Sequence, residues 1–314
     1  MTDLVTVGDA TLRFSPPRGE RIETAAGFDA HVGGPESNVA VAATTLGLDA
    51  AWLSKLPDTP LGRRVVGELR RHGVRTGVVW AGEGRVGAEF VEHGVDPRET
   101  SVVPDRVESA AATVGVEELP RGVVREAETC FTSGVTLGLS DAAAETAAAL
   151  FEVAADAGTT TALDLRYRNE RWSPAVARER YETFLPGVDV LFADRTDVAD
   201  VLDVDGEPVE AANHLASAYD LRTVVLTLGD RGAVGLHGDE VHERPAVAGE
   251  TRDAAGSEDA FVGGFLAESF RGGGLAAALD VGAAAAALTR TLDGGTPVVS
   301  REDVERLASD GPER

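Results

Sequence analysis

Asp253-Ala254-Ala255-Gly256-Ser257-Glu258-Asp259-Ala260-Phe261-Val262-Gly263-Gly264 is the most telling stretch of this 314-residue chain. A polar, flexible half gives way to a small, apolar half, so Gly256 is read as opening a helix that spans Ser257 to Phe270. The first amide groups of a helix lack carbonyl partners, and the helix dipole adds positive potential there, so the turn around Gly256 can hold a phosphate. Asp259, in the first turn, puts a carboxylate beside that anion, where it can take the proton of an attacking hydroxyl. Phosphoryl transfer needs this pairing of anion hole and base. An acid in a first turn is by itself more often a favourable charge on the dipole, so the reading depends on what else the chain carries.

Two other glycine segments point the same way. Gly33-Gly34-Pro35-Glu36-Ser37-Asn38 precedes a helix of small residues, Glu36 to Leu46; its glycines let backbone approach a polyol, and Asn38 can donate and accept toward hydroxyls. Thr227-Leu228-Gly229-Asp230-Arg231-Gly232 follows a strand and turns sharply, which suits the phosphates and ribose of a nucleotide. Gly82-x-Gly84-x-x-Gly87 matches a dinucleotide fingerprint on paper. Ala88 to Glu92 alternates like a strand where that fingerprint needs a helix, so these glycines are read as a hairpin turn.

Between these segments, strands and helix-length runs alternate, which predicts a layered α/β fold. Strands are expected at Leu4 to Gly8, Ala50 to Ser54, Gly77 to Trp80, Thr129 to Thr132, Thr160 to Asp164, Val188 to Phe192 and Thr223 to Thr227. An antiparallel pair, Ala233 to His237 and Glu240 to Arg244, follows. Helices are expected at Leu61 to His72, Ala142 to Ala157, Leu275 to Leu292 and Arg301 to Ala308. Two stretches break the rhythm: Thr11 to Val32 is irregular, and Arg85 to Arg106 reads as a hairpin of Val86 to Glu92 and Thr100 to Val103. Together they predict a small sheet, residues 11–32 and 81–106, outside a main domain of residues 1–10, 33–80 and 107–314; it is either a lid over a site or surface decoration.

Composition excludes several classes. Asp and Glu total 53 against 29 Lys and Arg, a net charge of −24, which repels nucleic acids and anionic membranes. Lys55 is the sole lysine and lies in no P-loop, so neither that motif nor a Schiff base elsewhere is available. Such an excess of acid with almost no lysine suits molar salt, where screening reaches only about 3 Å. Cys130 is alone, and the first twenty residues carry five charges with no long apolar run. A cytoplasmic, salt-adapted protein that self-associates is expected.

In order and spacing, these segments resemble the ribokinase-like (PfkB) carbohydrate kinase family along nearly the whole chain. The double glycine with Asn38 is similar to that family's N-terminal signature, and Asp253 to Asp259 to its C-terminal D-T-x-G-A-G-D. The resemblance implies a three-layer α/β/α domain with a small β-sheet lid, ATP and Mg2+ as cofactors, and transfer of the γ-phosphate to a sugar hydroxyl. Asp259 would then be the base, with Gly256, Ser257 and Glu258 around the anion hole. Thr227, Gly229, Gly232, Asp253 and Gly256 would meet the nucleotide, and Asp194-x-x-Asp197, in place of the family's N-x-x-E, the magnesium.

Within the family the chain looks most like 2-keto-3-deoxygluconate kinases. Gly8-Asp9 with Leu12-Arg13-Phe14-Ser15-Pro16, Leu56-Pro-Asp-Thr-Pro-Leu-Gly62, Asp105-Arg106 and Asp164-x-Arg166-Tyr167-Arg168 all resemble their segments. That likeness implies a substrate site of Asp9, Gly33, Gly34, Asn38, Phe90, Arg106, Arg168 and Asp259, with Arg106 and Arg168 clamping a sugar-acid carboxylate. Three departures stand out. Glu258 replaces a glycine of G-A-G-D, Arg166 stands where D-x-N-x-R has Asn, and the lid carries Phe90 and Val103-Pro104 where tyrosines are usual. Fructose or another ketose, ribose, a nucleoside, or binding without catalysis are the alternatives.

Overall fold

Stretches such as Leu4-Val5-Thr6-Val7 and Val224-Val225-Leu226 are apolar at consecutive positions because their sheet is covered on both faces. A computed structural model of the protein describes residues 2–169 and 172–309. Its strands are β1 (Thr2–Val7), β2 (Thr11–Ser15), β3 (Asp29–Gly33), β4 (Ala50–Pro57), β5 (Arg75–Ala81), β6 (Gly87–Glu92), β7 (Ser101–Asp105), β8 (Ala127–Ser133), β9 (Thr160–Asp164), β10 (Val190–Asp194), β11 (Thr223–Thr227), β12 (Ala233–His237) and β13 (Glu240–Arg244). Nine form one sheet in the order β13-β12-β11-β10-β9-β8-β1-β4-β5, and four form a small sheet, β3-β2-β6-β7. In the large sheet β5 through β11 run parallel, while β12 and β13 add an antiparallel edge.

Two apolar cores lie on the two faces of the large sheet. Leu4, Trp52, Phe131 and Phe192 face helices Pro35–Thr45, Ser257–Phe270 and Leu275–Thr289; Val5, Leu53, Cys130 and Leu163 face Asp141–Ala157, Pro174–Phe184 and Pro208–Tyr219. Among the described residues no helix is long and apolar enough to cross a membrane.

Several expectations need adjustment. Thr11 to Val32, expected to be irregular but to contribute to the small sheet, does so through two strands, Thr11–Ser15 and Asp29–Gly33, which pair antiparallel. Gly82 and Gly84 do not close a hairpin: they lie on the connection from β5 in the large sheet to β6 in the small one, and β6 pairs with β2 and β7. The predicted helix from Leu275 ends at Thr289. Helices Pro174–Phe184, Arg195–Leu202 and Pro208–Tyr219 were not anticipated, although Ser173-Pro174 and Glu207-Pro208 carry the cap-then-proline start signal.

Candidate active site

The parallel strands end along one rim in polar residues: Asp9 just after β1, Ser133 on β8, Asp164 on β9, Asp194 on β10 and Thr227 on β11. Open α/β sheets bind ligands along this rim. Helices Pro35–Thr45 and Ser257–Phe270 meet over it almost backbone to backbone. A Cβ on Gly263 would stand 2.5 Å from Ala42 Cβ and 3.0 Å from the Val39 carbonyl oxygen. This approach lets Asn38 Nδ2 donate to Asp259 Oδ2 at 2.8 Å.

Gly256 caps the second helix with φ of 72°, and a Cβ there would lie 1.8 Å from the Gly295 carbonyl oxygen, so only glycine fits the turn. Asp253, expected at the nucleotide, braces this turn instead. Its carboxylate accepts from Ala255 N at 3.0 Å and Gly294 N at 3.2 Å, and both Arg13 Nη atoms reach it at 3.2 Å. Both side chains are buried, so the pair fixes the shape of the turn.

The braced turn separates two cavities. One, of about 350 Å³, lies beneath the small sheet and is lined by Gly33, Gly34, Asn38, Arg106, Arg168 and Asp259 among others. The other, of about 260 Å³, runs past Asp194, Thr227, Gly229, Gly232, Ser257 and Glu258. Gly256 and Asp259 face the first, and Ser257 and Glu258 the second, so the helix N-terminus stands between them.

In the first cavity Arg106 Nη2 donates to Glu89 Oε2 at 2.5 Å, and Nη1 lies 4.0 Å from Asp9 Oδ2. Burial pushes the Glu89 carboxyl up, but the charge and hydrogen bond of Arg106 outweigh it and hold the group below the ordinary carboxylate range. Arg168 is exposed at the rim, with Nη1 donating to the Tyr167 carbonyl oxygen at 3.2 Å. Phe90 is not at the cavity. Alternation along β6 turns Glu89 and Val91 inward and Phe90 to the opposite face, where it stacks on Phe14 with ring centroids 5.5 Å apart.

The site expected from sequence did not include Arg13, Glu89, Asp164 or Arg166, and of these Arg166 lies nearest the chemistry. Arg166, only 8% exposed and at φ of 42°, points its Nη1 at Asp259 Oδ1 (2.9 Å), Glu258 Oε2 (3.0 Å) and Asp164 Oδ2 (3.2 Å). A buried arginine among carboxylates was signalled by the departure from D-x-N-x-R; Asp164 is two residues away, but Glu258 and Asp259 are remote in sequence. Burial raises the Asp259 carboxyl above its ordinary value, and Arg166 and Asn38 only partly oppose this. Asp164 is pushed up to about 7, again by burial. Glu258 is lowered, chiefly by Arg166.

A model of the pfkB family carbohydrate kinases matches residues 1–301. The chain belongs to that family. This carbohydrate kinase is 48% identical over 309 residues, 98% of its length and 97% of the relative's, to a 2-dehydro-3-deoxygalactonokinase of Haloferax volcanii. It is 30% identical over 271 residues, 85% of its length and 82% of the relative's, to a 2-dehydro-3-deoxygluconokinase of Thermoproteus tenax. The crystal structure of a 2-dehydro-3-deoxygluconokinase from Thermotoga maritima superposes with a TM-score of 0.93 at 31% identity, covering 98% of this chain and 100% of that one. The fold is the ribokinase-like one. The protein is an ATP-dependent sugar kinase, a phosphotransferase to an alcohol group, close to the 2-dehydro-3-deoxy-sugar kinases.

On the kinase's second cavity, Asp194 caps helix Arg195–Leu202 through Thr196 N at 2.7 Å and sits 3.4 Å from Thr227 Oγ1. Gly232, at φ of 104°, passes so near the Arg244 carbonyl oxygen that a Cβ would be 1.9 Å from it. Asp197 turns away and accepts from Tyr167 N at 2.9 Å; burial raises its carboxyl to about 6. Among the described residues no three acids, histidines or cysteines converge as a metal cage. A single carboxylate, Asp194, beside this cavity nonetheless fits magnesium, which takes most of its oxygens from phosphates and water.

Proposed function

We propose that this kinase phosphorylates a 2-keto-3-deoxy sugar acid, held in the cavity beneath the small sheet, with ATP in the cavity beside β11. The charge of the acceptor cavity carries this reading. Arg13, Arg106, Arg166 and Arg168 line it against Glu89 and Asp259, in a chain whose net charge is −24. Arg13 and Arg106 already face Asp253 and Glu89, and Arg166 faces Asp164, Glu258 and Asp259, which leaves the Arg168 guanidinium to meet a substrate carboxylate. The small sheet acts as a lid over that acid. Of the two epimers at C4, the 48% likeness favours the galacto form over the gluco form.

Asp259 Oδ1 is the proton acceptor. Oδ2 is taken by Asn38, while Oδ1 faces Arg166 without a well-formed hydrogen bond, so it keeps a lone pair for the sugar hydroxyl. The first-turn amides after Gly256 stand at the junction of the two cavities and stabilise charge on the transferring phosphoryl group. Asp194 would hold Mg2+, which when bound supplies charge neutralisation at the phosphates. A coupled ADP-release assay with 2-keto-3-deoxygluconate, 2-keto-3-deoxygalactonate, fructose, ribose and adenosine tests the substrate class. The two keto acids should give the highest kcat/KM, the galacto form leading. A preference for fructose, ribose or adenosine would overturn the sugar-acid reading.

A further inference from the structure

The two most unusual residues of the site, far apart in sequence, touch: Arg166 Nη1 lies 3.0 Å from Glu258 Oε2. Each alone is awkward. Arg166 brings a full positive charge into a buried spot on a backbone conformation that non-glycine residues seldom adopt. Glu258 puts a negative charge in the first turn of the helix read above as the phosphate-binding one. Together they are complementary, because one guanidinium nitrogen is shared by Glu258, Asp164 and Asp259.

We infer that Arg166 and Glu258 form one interdependent positioning unit for Asp259: Arg166 orients Oδ1, and Glu258 holds Arg166 from closing fully on it. The inference rests on the reading of Asp259 as proton acceptor. Without Glu258 the guanidinium has two carboxylates left and settles on Asp259, making a weaker base. Without Arg166 three neighbouring carboxylates lose their shared counter-ion, and the Glu258 charge opposes the incoming phosphate. Without both, no guanidinium can close on Asp259 and no Glu258 charge opposes the phosphate; only Asp164 and Asp259 still lack their counter-ion, so part of the loss is recovered. Asn38, Arg168 and Asp164 are the other polar or charged groups around Asp259, and all remain.

The test is a double-mutant cycle on the full-length kinase, with Arg166→Asn, Glu258→Gly and the pair combined, and with Glu258→Gln as a shape-preserving second single. Both kcat and the pH profile of kcat/KM are read. Arg166→Asn should lower kcat by about 100-fold, and adding Glu258→Gly should recover at least about 10-fold of it. The acid limb should move up in pH in Arg166→Asn, where a positive neighbour is lost, and down in Glu258→Gln, where a negative one is lost. A merely structural role would lower folded yield and leave both limbs in place. A double variant whose loss is the product of the single losses, or limbs that do not move in opposite directions, would overturn the inference. Asp259→Asn run alongside separates the two levels: if it stays active, the reading of the base fails, and if it is inactive while the cycle is additive, only the Arg166–Glu258 unit fails.

Discussion

Arg106 and Arg168 look equivalent in sequence, as two arginines able to meet one carboxylate, but their surroundings predict different outcomes on truncation. Arg168 is exposed, and its one described hydrogen bond is to a carbonyl. Arg168→Ala should therefore cost only the hydrogen bond to the substrate carboxylate. Being at the rim, that bond belongs at the lower end for charged partners, about 1.5 kcal/mol or about 10-fold in kcat/KM. Arg106 has a side chain 11% exposed and neutralises Glu89, with Asp9 nearby. Arg106→Ala strands those acids, and breaking a buried pair costs about 3–5 kcal/mol, so stability and activity should fall for every acceptor. The assay compares kcat/KM for the keto acid and its methyl ester, which lacks the charge, alongside urea denaturation midpoints. Arg168→Ala should weaken the acid about 10-fold, leave the ester and the midpoint nearly unchanged, and so collapse the preference. Equal losses on acid and ester for Arg168→Ala, or an unshifted midpoint for Arg106→Ala, would refute this division of roles.

Two further predictions concern the frame. Glu36 is fully buried, with Ser133 N, Ser133 Oγ and Thr136 Oγ1 all donating to Oε1; burial outweighs those bonds and raises its carboxyl to about 7. The folded state then holds a proton that the unfolded chain releases near 4.5, so this group should remove on the order of 3 kcal/mol of stability as pH rises from about 4.5 through about 7. Glu36→Gln should flatten that slope in denaturant titrations. Gly256→Ala should lower kcat and cost at least about 1–3 kcal/mol, because the new methyl meets Gly295; a variant with parental stability and rate would show that the turn can yield.

Fold and site were legible to different depths. The strands at Thr160–Asp164, Thr223–Thr227, Ala233–His237 and Glu240–Arg244 were readable because continuous or alternating apolar runs are bounded by turn residues. The pairing of Thr11–Ser15 with Gly87–Glu92 was not, since it joins segments some seventy residues apart and nothing local encodes it. Asp259, Asn38 and the glycines around them could be picked out because their chemistry is local and their spacing specific. Phe90 was misplaced because a motif position does not tell which face of a strand a side chain takes. Asp253 was taken for a ligand contact, whereas its partner Arg13 comes from the other end of the chain. Arg166 showed only as a departure from a pattern; Asp164 is its local neighbour, but Glu258 and Asp259 reach it through tertiary structure.

Asp259, as the group proposed to take the acceptor proton, is the residue on which activity should depend most. The direct test is kcat of Asp259→Asn with the preferred keto acid, together with ATP affinity measured by equilibrium binding. Asparagine keeps the shape and the contact with Asn38 but cannot accept the proton, so kcat should fall by about 10²–10⁴ while ATP affinity stays nearly intact. An Asp259→Asn enzyme that retains most of its kcat would contradict the account.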